Sequence, residues 1–197
     1  MAVFPISFFG PISYYNEISK AEMVEFEIYE TYKKQSIRNR YKIGSSNGTL
    51  ELSIPISKPN GSKTLTKDIL IDETQNWKIN HWRAIVSAYM HSPYFEHYES
   101  DIYNLIFSNE VILYKKNQAC FEFLNKTFDL RNDFSITSEY MKNNILNDYR
   151  NNDFTLISSE KQYIQPFINK HGFYQNLSIL DLLFCEGPLG RFFLKVS

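Results

Sequence analysis

Five of the chain's 21 Lys and Arg residues fall within ten positions: Lys33, Lys34, Arg38, Arg40 and Lys42. If residues 37–43 are extended, Arg38, Arg40 and Lys42 share one face, because side chains alternate across a strand. Neighbouring cations on one face repel each other unless water, acids or a bound anion screen them. Guanidinium forks also match the oxygens of phosphates and carboxylates. Two readings stand: an anion site for a phosphate, nucleotide or carboxylate, or a solvated face paired with Glu22, Glu25, Glu27 and Glu30. His81 is the second candidate. Trp77 lies one turn before it, and Ala84 and Ala88 leave room beside the imidazole, as in a pocket wall. A histidine there would serve as general acid or base, or equally as a hydrogen-bonded structural residue. Asp181 is the third, the lone acid in the apolar run 179–184. Its spacing from Ser178 is that of a capping box, and a capping carboxylate can still face a site.

The elements that must carry these groups follow from periodicity. Residues 2–9 form a short run of β-branched and aromatic residues closed by Gly10-Pro11. Residues 12–21 suit a short helix, and Val24, Phe26 and Ile28 alternate with Glu25 and Glu27 as in a strand. Strand, helix, strand within about thirty residues is a βαβ unit. Two alternating runs, 37–43 and 49–56, flank Asn47-Gly48 and predict a hairpin, with Pro55 at its end or on an edge. Residues 58–67 read as an exposed loop and 69–72 as a short strand. Trp82, Ile85, Val86 and Tyr89 then mark the buried stripe of an amphipathic helix. Further helices are predicted over 96–107, 119–130, 138–150 and 178–184. The fold class is therefore α/β or α+β: a strand-rich amino-terminal third that opens with a βαβ unit, and a mostly helical carboxy-terminal half.

Composition narrows the function. The chain has 197 residues, 43% of them hydrophobic and 22% charged, which excludes a disordered, collagen-like or coiled-coil protein. One domain spanning 1–197 is the expected count. A net charge of −1 gives no electrostatic case for nucleic-acid or anionic-membrane binding. No run approaches the ~20 apolar residues of a membrane span, nothing reads as a secretion signal, and two cysteines build no disulfide framework. A soluble cytoplasmic protein is expected. His81, His91, His97 and His171 form no zinc pattern, and no phosphate-binding glycine loop or nucleophile elbow occurs. No metal or cofactor is expected. The 16 Phe, 14 Tyr and 2 Trp imply an aromatic-heavy core or a cleft that stacks rings or sugars.

Several blocks in order resemble the bacterial WbqC-like protein family: Glu30-x-Tyr32-Lys33-Lys34-Gln35-Ser36-Ile37-Arg38-Asn39-Arg40, then Leu52-Ser53-Ile54-Pro55-Ile56. Trp77-x-x-x-His81-Trp82-Arg83-Ala84-Ile85, Ala88-Tyr89 and Ser92-Pro93-Tyr94-Phe95 are similar too. So is the late block Asn176-Leu177-Ser178-Ile179-Leu180-Asp181-Leu182-Leu183-Phe184-x-x-Gly187-Pro188. The resemblance implies a role in surface-polysaccharide (O-antigen-type) biosynthesis, with transfer of glycine or another acyl group to an amino sugar. The alternative is a non-catalytic nucleotide-sugar-binding or scaffolding protein of the same machinery. The implied site has His81 and Asp181 as catalytic residues. Tyr32, Lys34, Arg38, Asn39, Arg40 and Trp77 would hold a sugar or nucleotide-sugar and an activated aminoacyl donor. Phe8-Phe9-Gly10-Pro11 departs from the Gln-Pro-x-Tyr-x-Pro-like start of many members. The opening also resembles nucleotidyltransferase-like α/β folds. Their first-turn histidines are missing here, so chemistry needing that pair is not expected.

Overall fold

The computed structural model describes residues 1–130, 133–142, 146–154 and 161–194. Strand β1 (Ala2–Pro5), helix α1 (Ile12–Ser19) and strand β2 (Met23–Glu27) form the expected βαβ unit, with β1 and β2 parallel. The hairpin strands β3 (Arg40–Ser45) and β4 (Gly48–Ser53) follow, then the short pair β5 (Ile56–Ser57) and β6 (Leu70–Ile71). Helices α2 (Trp77–Tyr89), α3 (Phe95–Phe107) and α4 (Leu113–Thr127) lead to strand β7 (Asp133–Ile136). Helices α5 (Ile168–His171), α6 (Ile179–Glu186) and α7 (Arg191–Leu194) close the described chain.

The main sheet has the order β1-β2-β7, all parallel. Every residue of β1 is buried, as in a strand covered on both faces. Its free edge is covered by residues 147–149: Val3 N donates to Asn147 O (3.0 Å) and Tyr149 N to Val3 O (2.8 Å). That pairing aims the segment from Arg150 to Phe154 at the carboxy-terminal end of β1. In open α/β sheets this end is where ligands bind.

The hairpin is shorter than its alternation predicts. Residues 37–39 are a turn, and β3 starts at Arg40. Asn39 ends the extended run by donating from Nδ2 to Ile54 O (2.8 Å) and accepting from Tyr32 Oη (2.7 Å). Arg40 and Lys42 therefore share the outer face while Tyr41 and Ile43 face the core, and Arg38 lies outside the strand. At the tip, Gly48 takes φ 121°, which side-chain-bearing residues rarely adopt.

Helix α4 begins at Leu113, before the predicted 119. Lys116 and Asn117 are buried on its inner stripe and mask the apolar period. The helix expected over 138–150 is absent from its described parts, 138–142 and 146–150, which are irregular; residues 143–145 lie outside the described residues. Most of the aromatic content is core. Phe4, Phe8, Phe9, Tyr14, Tyr15, Phe26, Phe121, Phe128, Phe154 and Phe184 are all fully buried, and Phe4 stacks on Tyr149 with centroids 4.5 Å apart. Cys120 and Cys185 are free and buried. Among the described residues no helix is long and apolar enough to cross a membrane.

Candidate functional site

A cavity of about 460 Å³ opens at the carboxy-terminal edge of the parallel sheet. Five chain segments meet there. Pro5 ends β1, and Pro11 comes from the connection to α1. Residues 33–38 come from the loop after β2. Arg40, Tyr41, Lys42 and Glu51 come from the hairpin, and residues 150–154 with Gln175 and Asn176 complete the wall. Six cations line the hollow (Lys33, Lys34, Arg38, Arg40, Lys42 and Arg150) against two carboxylates, Glu51 and Asp153.

The loop from 30 to 39 is clamped from several sides. Ser7 Oγ donates to Ile37 O (2.6 Å), Asn117 Nδ2 to Arg38 O (2.8 Å) and Tyr32 N to Thr64 O (3.0 Å). Gly10 permits Ser7 to sit there, since a Cβ at Gly10 would lie 2.6 Å from Ser7 Oγ. Gln35 and Asn176, both lining the cavity, hold φ values of 53° and 57°. Left-handed backbone in such residues is costly and collects at functional sites.

The cations differ in what already balances them. Arg38 is buried and ion-paired with Glu30, its Nε 3.1 Å from Glu30 Oε1. Arg150 bonds both oxygens of Asp148 (2.8 and 2.6 Å), Met141 O and Glu27. Hydrogen bonding to Asp148 holds this guanidinium above its ordinary range, and the same contact holds the Asp148 carboxyl below its own. Arg40 pairs with Glu51 (3.0 Å), yet its Nε is buried with no hydrogen-bond partner among the described residues. Lys33 Nζ donates to Asn151 Oδ1 and has no ion pair among the described residues, although its charge helps to hold the Asp148 carboxyl down. Lys34 and Lys42 are exposed, and neither has an ion pair among the described residues. The wall therefore carries surplus positive charge on Lys33, Lys34 and Lys42. The start of α1 adds no donors. Ile12 N bonds Leu177 O (3.0 Å), Ser13 N bonds Asn176 Oδ1 (2.9 Å) and Tyr14 N bonds Pro11 O (3.0 Å). An anion here meets side chains rather than a helix terminus.

The fold does not bring Arg38, His81 and Asp181 to one hollow. His81 is buried on α2, with Nε2 3.2 Å from Ser53 O and Nδ1 2.9 Å from Tyr41 Oη. A carbonyl oxygen only accepts, so Nε2 carries the proton and Tyr41 donates to Nδ1. Burial pushes the His81 pKa down to about 4. It is linked to the cavity through Tyr41, a residue that also lines the wall. Asp181 is buried as well, outside the cavity lining, and fully bonded. Tyr89 Oη (2.8 Å) donates to Oδ1, while Tyr163 Oη (2.6 Å) and Gln165 Nε2 (3.0 Å) donate to Oδ2. The capping half of the sequence reading holds for Ser178, whose Oγ accepts from Leu180 N (3.2 Å). The Asp181 carboxylate instead turns to the tyrosines, and burial raises its pKa.

Of the expected binding residues, Lys34, Arg38 and Arg40 line the cavity, whereas Tyr32, Asn39 and Trp77 do not. Tyr32 and Asn39 bond each other behind the loop. Trp77 packs edge-on against His81, with centroids 5.1 Å apart. Sequence reasoning missed Arg150, Asn151 and Asp153: the expected helix ends at Arg150, and no element or role is assigned to the residues just after it. Their signal was compositional: a polar run too rich in Asn and Asp for a helix interior.

Residues 7–166, most of the chain, match the WbqC-like protein family. The chain belongs to that family. The matched span of this WbqC-like chain includes the basic loop and the 150–154 segment, while Gln175, Asn176 and Asp181 lie beyond it. No curated protein and no solved structure matches the chain.

Proposed function

We propose that this WbqC-family protein holds a phosphate-bearing sugar, of the nucleotide-sugar class, in the basic cavity and serves surface-polysaccharide assembly in the cytoplasm. The observation that carries the reading is the surplus of cations round one concave hollow, with an unpartnered Arg40 Nε in its wall. Ammonium and guanidinium donors of this kind are matched by phosphate oxygens. A chain with a net charge of −1 has no general affinity for nucleic acid, so a local basic hollow favours a small anion.

A ligand at a hundred times its dissociation constant adds about 2.7 kcal/mol of stability. For a chain of this length that is a rise of roughly 5–10 °C in Tm. Thermal shift with pyrophosphate and with nucleotide-sugars should show such a rise. Lys34→Ala and Lys42→Ala together should reduce it, and added salt should weaken it. No shift at millimolar ligand in the unaltered protein would end the proposal.

The second reading is acyl or aminoacyl transfer to an amino sugar. The amine nitrogen would bond the activated carbonyl carbon as the leaving group departs, and a cavity carboxylate would take the amine proton. Glu51 and Asp153 stand in the wall, whereas His81 and Asp181 spend their hydrogen bonds elsewhere. That contrast favours the holding role as the primary one. Incubation with an amino-sugar nucleotide and activated glycine, read by mass spectrometry, separates the two. Recovery of unaltered sugar supports holding alone, and product lost in Asp153→Asn supports transfer.

A further inference from the structure

Beside the basic cavity lies a second hollow of about 350 Å³, lined by Tyr29, Glu30, Thr31, Lys33, Tyr140, Arg150 and Asn151. Lys33, Arg150 and Asn151 belong to both walls. The partition is the buried pair of Arg38, which faces the first hollow, and Glu30, which faces the second. The two spaces differ in character. The first holds the surplus charge. The second presents two tyrosine rings, each with a cation over it: Lys67 Nζ lies 4.9 Å from the Tyr29 centroid and the Arg150 guanidinium 5.1 Å from that of Tyr140. Tyr29 packs in part against the core but stays half-exposed, and Tyr140 is 48% exposed and outside the core, so the pair keeps ring surface for a ligand, chiefly on Tyr140.

Resting on the proposed phosphate-binding role of the first cavity, we infer that the two hollows form one bipartite site for a nucleoside diphosphate. The diphosphate occupies the basic hollow and the planar base lies on the tyrosines of the second. Lys33 and Asn151 sit at the junction. Their side chains are exposed and bonded only to each other, so a ligand that replaces this single contact opens the passage at little cost. A base suits the second hollow because every base has a π-face, and aromatic stacking tolerates the absence of a matching hydrogen-bond pattern. The buried Arg38–Glu30 pair keeps the partition rigid and sets the offset between phosphate and ring.

The test is calorimetric titration of the full chain with pyrophosphate, with uridine diphosphate and with adenosine diphosphate. The unaltered protein should bind a nucleoside diphosphate at least tenfold more tightly than pyrophosphate, a difference of about 1.4 kcal/mol. Tyr140→Ala, at an exposed position that leaves the core intact, should erase most of that advantage and leave pyrophosphate binding within twofold. Lys34→Ala should weaken pyrophosphate and nucleotide alike. If pyrophosphate binds and the nucleosides add nothing, or if Tyr140→Ala and Tyr29→Ala leave the advantage untouched, the bipartite site is refuted while the basic cavity stands. If pyrophosphate itself fails to bind, the phosphate-holding reading falls, and this inference falls with it.

Discussion

Replacing Arg38 by Met isolates what the buried ion pair does for the site. The Arg38 and Glu30 side chains are 3% and 9% exposed, so neither charge is solvated once the other is gone. Arg38 also donates to Ser36 Oγ (3.3 Å) and to Arg150 O (3.4 Å), tying the loop to the 150–154 segment. Removing one partner of a buried pair costs about 3–5 kcal/mol, because the survivor is left charged and unpaired. At roughly 2–4 °C per kcal/mol for a chain of this size, Arg38→Met should lower Tm by roughly 6–20 °C. Arg38→Met with Glu30→Gln removes both charges and should recover most of that loss. Urea unfolding of the four proteins in a double-mutant cycle measures the coupling directly. A cost below about 1 kcal/mol for Arg38→Met, or a double variant no more stable than the single one, would refute the argument. Pyrophosphate titration of the double variant then assigns Arg38. Affinity within threefold makes it scaffold, and a loss beyond tenfold makes it a direct ligand.

Three further outcomes are expected. His81 has its pKa lowered to about 4 by burial, so between that value and 6.5 the unfolded chain binds more protons than the native one. Stability should therefore fall as pH drops through this window, by up to about 3 kcal/mol, and the slope should vanish in His81→Phe, which also starts less stable because Tyr41 Oη and Ser53 O lose their partner. Lys116, buried on α4 beside Trp77 and bonded to Ser108, has its pKa pushed down to about 8 by burial; stability should rise with pH from there to about 10.4, and a Lys116→Met variant should lack that rise and melt higher at neutral pH. Asp181→Ala strands the donors of Tyr89, Tyr163 and Gln165 and should cost about 3 kcal/mol or more by urea unfolding, with Asp181→Asn milder.

Much of the fold is legible in the order of residues, because local periodicity and turn chemistry act over a few positions. The alternation of Val24 and Phe26 with Glu25, the turn residues at Asn47-Gly48 and the stripe through Ile85 and Tyr89 all mark elements that form. Charge clustering likewise singles out Lys33, Lys34, Arg38, Arg40 and Lys42, all five of which lie in the cavity wall. What a linear pattern cannot express is where a polar side chain finds its partner. His81 and Asp181 have the types of catalytic residues, but Tyr41, Ser53, Tyr89 and Tyr163, up to 92 positions away, satisfy them inside the core. Arg38 turns from a strand face to a buried partner because Glu30, eight residues back, is held beneath it. Arg150 reaches the cavity because residues 147–149 run along the free edge of β1, a pairing made across the whole chain. Composition and spacing decide which groups are present and which elements they ride on. Only packing decides which charges are neutralised within the protein and which remain to meet a ligand, since desolvation and pairing depend on neighbours in space.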